Sequence, residues 1–262
     1  MSKFLEKILE KSINFYIEKN LDDFYTKSSY HPNLVSHIED KISWVISKKA
    51  DWPMAIFRVN FENLNLKSEI LKIKDLIGKG MAPNGWTVGP LTKPDDLGIN
   101  LEKNGFLNVY QQAGMAVELK DLKNIAINEN ELNIKKIDDK NDLKQWIKVV
   151  SSTFGIKIDP ALIESLFLER EAGFFLGIFK GKPISALMLY LSSGVAGLHA
   201  VSTLLEYRNK GFGLAISKTA LIYAFKLGFR VGVLQASSMG ERVYRKLGFK
   251  KYCDIISYEL TI

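Results

Sequence analysis

The residues best suited to chemistry lie in one short stretch, Arg208-Asn209-Lys210-Gly211-Phe212-Gly213. It falls between a segment that reads as a strand and one that reads as a long helix. A helix N-terminus exposes unpaired N–H groups and a partial positive charge. Glycines let an anion approach that backbone without a Cβ in the way, and Arg208 and Lys210 add charge. The combination suits a diphosphate. It matches neither G-x-G-x-x-G nor G-x-x-x-x-G-K-[ST], which argues against a dinucleotide or a nucleoside triphosphate. A short glycine motif can also be a plain turn, so its weight depends on what surrounds it.

Two other side chains could move protons. The phenol of Tyr244 ordinarily titrates near pH ~10 and stays a donor at neutral pH; the competing reading is a ring packed beside Leu247 and Phe249. His199 lies in an extended segment, where residues alternate faces. Strict alternation puts it on one face with Val201 and Thr203, where its imidazole could accept a proton. A lone histidine is also often structural. Glu169 and Glu171, at a helix-to-strand junction, are alternative bases that read equally well as solvated surface.

Composition narrows the remaining classes. The sequence has 262 residues, 47% hydrophobic and 25% charged, enough apolar material for one or two real cores. One cysteine and three histidines, His31, His37 and His199, are too few and too scattered for a zinc site, and no Asp/Glu cluster has loop-like metal spacing. No metal is expected. Charges interrupt the first twenty residues every few positions, and no apolar run reaches the ~20 residues that span a bilayer. No membrane association is expected, and with a single thiol the expected compartment is the cytoplasm. The net charge of +7 sits entirely in the second half: residues 1–130 carry 17 basic and 17 acidic residues, residues 131–262 carry 19 and 12. A basic half beside a neutral one suits an anionic ligand. Without a basic–aromatic stripe or a known reading motif, nucleic acid is not an expected partner.

The elements that must position these residues follow from periodicity. Residues 2–25 read as a helix. Residues 34–47 look helical and then extended, and 54–61 read as a strand. Residues 68–79 form a helix with Ser68 as N-cap, 96–105 a short helix closed by Gly105, and 109–119 a strand. A polar stretch at 120–131 marks a boundary, giving domains 1–127 and 128–262. The second half then runs strand 132–137, helix 139–154, and helix 160–170 with Asp159 as cap and Pro160 in its first turn. A hairpin follows (174–179, 184–191), then strand 197–204, a helix from the glycine loop to 227, strand 230–235, helix 240–247 and strand 252–260. The segment 197–235 is a β-α-β unit, so its strands should be parallel with a right-handed crossover. The class is α/β, a mixed sheet with helices on its faces. A faint repeat links the halves: 96–106 and 239–249 both read as a short helix ending in Gly-Phe, each followed by a strand.

The loop 208–213, with Leu234-Gln235-Ala236-Ser237, Val243-Tyr244-Arg245-Lys246-Leu247-Gly248-Phe249 and the strand order, resembles the GNAT superfamily of acetyl-CoA-dependent N-acetyltransferases. The resemblance covers roughly 132–262, and the first half resembles a degenerate copy that lacks the glycine loop. It implies an R/Q-x-x-G-x-G/A loop whose amides, at about 209–214 and including Leu214, hold the pyrophosphate of acetyl-CoA as co-substrate. It implies that the backbone of Val201, Ser202 and Thr203 pairs with the pantetheine arm and polarises the thioester carbonyl, and that Tyr244 faces the sulfur as acid. Two positions depart from the pattern: Leu205 stands where proline is common, and Ser237 where asparagine is. The implied activity is direct acetyl transfer to a primary amine, on a small molecule or a peptide. The alternative is a non-catalytic acyl-CoA-binding or partner-docking module of the same fold. The acceptor and the oligomeric state are not legible.

Overall fold

Short capping signals fix where the helices begin. In the computed structural model, which describes residues 4–8, 10–124 and 132–261, helix α1 spans Glu10–Ser28. It starts later than the periodicity suggests. The next segment, expected to begin as a helix, is instead a pair of strands, β1 (Leu34–Ile38) and β2 (Ser43–Ser47); Val35 and Ile38, which favour extended backbone, sit in the first of them. Strand β3 (Ala55–Phe57) is cut short because Arg58 turns into left-handed backbone, φ 51°. Helix α2 (Leu66–Gly78) is capped by Asn65, whose side chain accepts from the Ser68 amide, so Ser68 is not the cap. Strand β4 (Gly85–Val88), helix α3 (Leu97–Lys103) and strand β5 (Phe106–Glu118) close the first half.

The expected boundary at 127/128 lies outside the described residues. Beyond it come strand β6 (Leu132–Lys136), helices α4 (Lys140–Phe154) and α5 (Pro160–Phe167), and strands β7 (Ala172–Phe179), β8 (Lys182–Ser192) and β9 (Val195–Thr203). Helix α6 (Phe212–Lys226), strand β10 (Val231–Ala236), helix α7 (Ser238–Arg245) and strand β11 (Lys250–Leu260) complete it. Asp159 caps α5 with Pro160 following, as expected, and Asp139 caps α4. Such caps contribute about 1 kcal/mol each.

All eleven strands form one mixed sheet, ordered β1-β2-β3-β4-β11-β5-β10-β9-β8-β7-β6. β9 and β10 are parallel, as the β-α-β reading requires. Apart from β6, which has no counterpart, the order reads the same from both ends if each strand of the first half is matched with its counterpart in the second. β3 runs parallel to β4 as β9 does to β10. The last strand of each half crosses over: β11 lies between β4 and β5, and β5 between β11 and β10. The Gly-Phe repeat falls on this feature. Gly105 and Gly248 both take positive φ, 90° and 83°, and Phe106 and Phe249 are buried at the start of the exchanged strands.

Apolar clusters fill both faces. α6 and α7 pack with Met115, Leu189, Leu198 and Leu234 on one face. On the other, α4 and α5 pack with Phe24 of α1, and Ile13 and Ile17 of α1 pack on Val231 and Val233. A third cluster, with Trp86, Phe106 and Tyr258, joins α2 and α3 to the first half's strands.

Candidate active site

The site opens where two parallel strands part. β9 and β10 pair only from Ala196 to Leu198 on β9. A bulge follows, because β9 has two residues between His199 and Ser202 where β8 has one. Ala200, at its centre, has φ 50°, a conformation uncommon for a residue with a Cβ and maintained only by its surroundings. Among the described residues, the edge of β9 beyond Leu198 has no strand partner on the β10 side.

The bulge changes which residues face together. Val201 packs against the α6 cluster, whereas His199 stacks on Phe24 of α1 with ring centroids 5.4 Å apart. The strict alternation expected for His199, Val201 and Thr203 is therefore broken by one inserted residue. Both His199 and Val201 still line a single cavity of about 500 Å³, together with Ser237 and Tyr244.

The glycine loop adjoins the end of β9, where a Cβ on Gly213 would lie 3.6 Å from Thr203 Oγ1. Asn209 and Gly211 both have positive φ, 63° and 84°, and Gly211 is the α6 N-cap without a side-chain cap. Among the described residues, none of the amides from Asn209 to Leu214 donates to a backbone carbonyl. A Cβ on Gly211 would meet nothing within 4 Å. These are the features of an anion-binding backbone nest. Arg208 Nε donates to the Thr203 carbonyl at 3.2 Å. Lys210 lies over the Tyr207 ring at 5.5 Å. Phe212 is buried against Phe179, and Leu214 packs in the α6 cluster, so those two contribute backbone only. Ser202 is buried, with its hydroxyl donating to the Ala186 carbonyl. Ser237 caps α7, its Oγ accepting from the Gly240 amide at 3.1 Å.

Tyr244 is 8% exposed and lies edge-on to Phe249, so its ring does pack in the core. Its hydroxyl interacts with Ser217, and burial pushes its pKa well above the usual phenol value; it is a proton donor at any physiological pH. His199 is the reverse case. Burial lowers its pKa to about 4, so the ring is neutral. Its Nε2 lies 2.8 Å from Asn20 Oδ1. Asn20 Nδ2 donates to the Tyr190 carbonyl at 3.1 Å and to Ser192 Oγ at 2.8 Å. A carbonyl can only accept, so the amide group facing Tyr190 is the NH₂ and the group facing His199 is the oxygen. The ring proton is thereby assigned to Nε2, leaving Nδ1 as the acceptor. Glu169 pairs with Lys27 at 2.9 Å and does not line the cavity, nor does Glu171.

Sequence reasoning missed the wall contributed by the first half. Leu21, Phe24 and Tyr25 of α1 line the cavity, with Trp52, Thr87 of β4 and Tyr110 and Gln112 of β5. Trp52 stacks on Phe24 at 5.1 Å in this wall. Three carboxylates, Asp138, Asp139 and Asp142, do converge elsewhere. Asp139 caps α4 and Asp142 forms an ion pair with Lys135.

Among the described residues, the first half has no equivalent opening at β3. There Lys93 donates to the Val59 carbonyl and accepts from the Phe61 amide, each at 2.9 Å. The loop before α3 thus occupies the edge that stays free on β9.

Comparison with known proteins agrees with this geometry. The Acetyltransferase (GNAT) family profile matches residues 141–249. Those residues form a GNAT-family domain. The likeness in fold extends over almost the whole chain. A GCN5-related N-acetyltransferase from Kribbella flavida superposes with a TM-score of 0.74 at 14% identity, over 95% of this chain and 96% of that one. One from Sphaerobacter thermophilus gives 0.63 at 13%, covering 98% and 95%. A functionally unknown conserved protein from Staphylococcus epidermidis gives 0.58 at 11%, covering 89% and 97%. No curated protein sequence matches the chain. Among the described residues, no helix is long and apolar enough to cross a membrane.

Proposed function

We propose that the protein transfers an acetyl group from acetyl-CoA to a primary amine by direct attack. One observation carries this reading: among the described residues, the β9 edge after Ala200 is unpartnered and ends at Thr203, against Gly213 of the free amides 209–214, with Tyr244 and His199 on one cavity. Acetyl-CoA would supply an activated acyl group as a thioester. The amides of 209–214 bind its diphosphate, and the free edge at Val201–Thr203 pairs with its amide-bearing arm. An edge amide that donates more strongly to an oxyanion than to a carbonyl favours the transition state.

The amine attacks as the free base. A C–N bond forms, the C–S bond breaks, and the nitrogen loses one proton while the sulfur gains one. Tyr244 donates the proton to sulfur. His199, with a pKa of about 4, does not deprotonate an alkylammonium in solution, whose pKa is near ~10. It accepts a proton only after the C–N bond has formed, when the nitrogen is far more acidic.

We further read 1–127 and 128–262 as two related units, the first no longer able to bind the co-substrate. The matching strand order and the Lys93 contacts to Val59 and Phe61 support this. The acceptor is a small molecule or a peptide, the site needs no metal, and the compartment is the cytoplasm. The test is thiol release from acetyl-CoA in the presence of a mixed panel of primary amines. Release above the hydrolysis rate supports the enzyme. Tight CoA binding with no release from any amine would favour a non-catalytic acyl-CoA-binding module instead.

A further inference from the structure

We propose that the acceptor is an amine carried on an aromatic body and bound uncharged, against the wall that the first half supplies. The proposal rests on the acyl-transfer reading for the identity of the reacting group, and on the following features for its class. Among the described residues lining the cavity there is no Asp, Glu, Lys or Arg. The buried carboxyl groups of α1 do not line the cavity: Glu18 Oε2 accepts from the Leu91 amide at 2.6 Å, and Asp22 has Arg58, Lys19 and Asp23 as its charged neighbours. A polycation entering this cavity would lose its hydration and gain no counter-charge, a cost of several kcal/mol per ion.

The wall itself is built for flat rings. Trp52, Phe24 and His199 form one stack, with interplanar angles of 16° and 28°. Tyr25, Tyr110 and Phe154 complete the aromatic lining. The stack is held by α1, the loop after β2, and β9, so its rings are fixed before anything binds. Aromatic partners add about 0.5–1.5 kcal/mol each beyond simple area burial when they meet edge-on or offset. The remaining polar lining is neutral. Gln112 and Gln235 spend their NH₂ groups on the Gln235 and Ile17 carbonyls. The hydroxyls of Thr87 and Ser257, opposite one another on β4 and β11, suit a small uncharged polar substituent. A cavity of about 500 Å³ has room for a bicyclic arylalkylamine beside the acyl end, within the usual ~300–1,000 Å³ of small-molecule sites. An uncharged cavity also favours the free amine over the ammonium, and the free amine is the reactive form.

The test uses the full chain with tryptamine, 2-phenylethylamine, ethanolamine and spermidine. Each amine is assayed for thiol release and, separately, titrated by calorimetry into the protein saturated with CoA. The expected result is tryptamine or 2-phenylethylamine exceeding spermidine by at least ~100-fold in kcat/KM, and binding where spermidine does not. Trp52→Ala and Phe154→Ala should each raise KM for the aryl amine about tenfold and leave the Kd for CoA unchanged. Phe154 is half exposed, so its variant keeps the comparison open if Trp52→Ala folds poorly. A preference for spermidine, or equal binding of all four amines, overturns the aromatic assignment while leaving acyl transfer intact. Aryl amine binding without thiol release supports the pocket's class and counts against catalysis.

Discussion

Asn20 and His199 meet at 2.8 Å across the interface between α1 and β9, with the carboxamide oxygen facing the ring Nε2. Asn20 is fully buried and its other two contacts fix its orientation. A residue 179 positions earlier in the chain therefore sets the tautomer of the candidate base. Asn20→Asp keeps an acceptor there but makes it a carboxylate. An adjacent negative charge raises an imidazole pKa. Below the amine's own titration, a second acid limb of kcat/KM, expected near pH 4 in the natural protein, should move upward by at least one unit in the variant. A pH–rate profile checks this; an unmoved limb removes His199 from the proton path.

Gly197 permits that contact. A Cβ there would overlap Asn20 Oδ1 and lie 2.8 Å from His199 Nε2. Gly197→Ala should cost roughly 1–3 kcal/mol of stability by overpacking and lower kcat/KM at the same time. Thermal unfolding and steady-state rates test the pair of effects, and a variant with natural values in both would contradict the packing described.

Tyr244→Phe removes the donor to sulfur and keeps the ring against Phe249. Turnover should fall about 10²-fold or more, with CoA affinity unchanged. Loss of the Ser217 contact should cost about 1 kcal/mol of stability. Equal turnover in both proteins would leave Tyr244 as a packing residue only.

Much of the second half could be read from local pattern. The helix at Lys140–Phe154, the Asp159 cap of Pro160–Phe167, and the β9-α6-β10 unit all follow from periodicity and capping residues within a few positions of one another. The loop 208–213 carried its own signal, alternating residues able to take positive φ. The strand exchange carried none. Residues of β5 show the same extended pattern whether they pair with β4 or with β10, and pairing is decided by which edges are free once both halves fold. The aromatic wall was hidden for the same reason. Leu21, Phe24 and Tyr25 have ordinary helical spacing, and only the exchange carries the first half's strands to the cavity. The single bulge at Ala200 reversed the facing of Val201 relative to His199, and nothing in the local alternation marks it.

Glu18 is 2% exposed, and burial raises its pKa to about 8 from 4.5. A carboxyl group with a raised folded-state pKa contributes stability that is complete below pH ~4.5 and is lost as pH rises toward 8. Glu18→Gln, which keeps an acceptor for the Leu91 amide, should flatten the pH dependence of Tm between pH 5 and 8. It should also raise Tm at pH 8 by at least several degrees, at roughly 2–4 °C per kcal/mol for a chain of this size. Parallel pH dependences of the two proteins would contradict the burial of an ionisable group at this position.

The most direct measurement is calorimetric titration of CoA into the natural protein and into Gly211→Leu, with thermal unfolding of both. Gly211 faces open space with φ 84°, so a leucine there strains the loop by about 1–2 kcal/mol and fills the place of the diphosphate. The account predicts CoA binding to the natural protein, a Kd raised at least ~30-fold in the variant, and a Tm lowered by no more than a few degrees. Equal affinity in two folded proteins would mean that CoA, if it binds at all, is held somewhere other than the amides of 209–214.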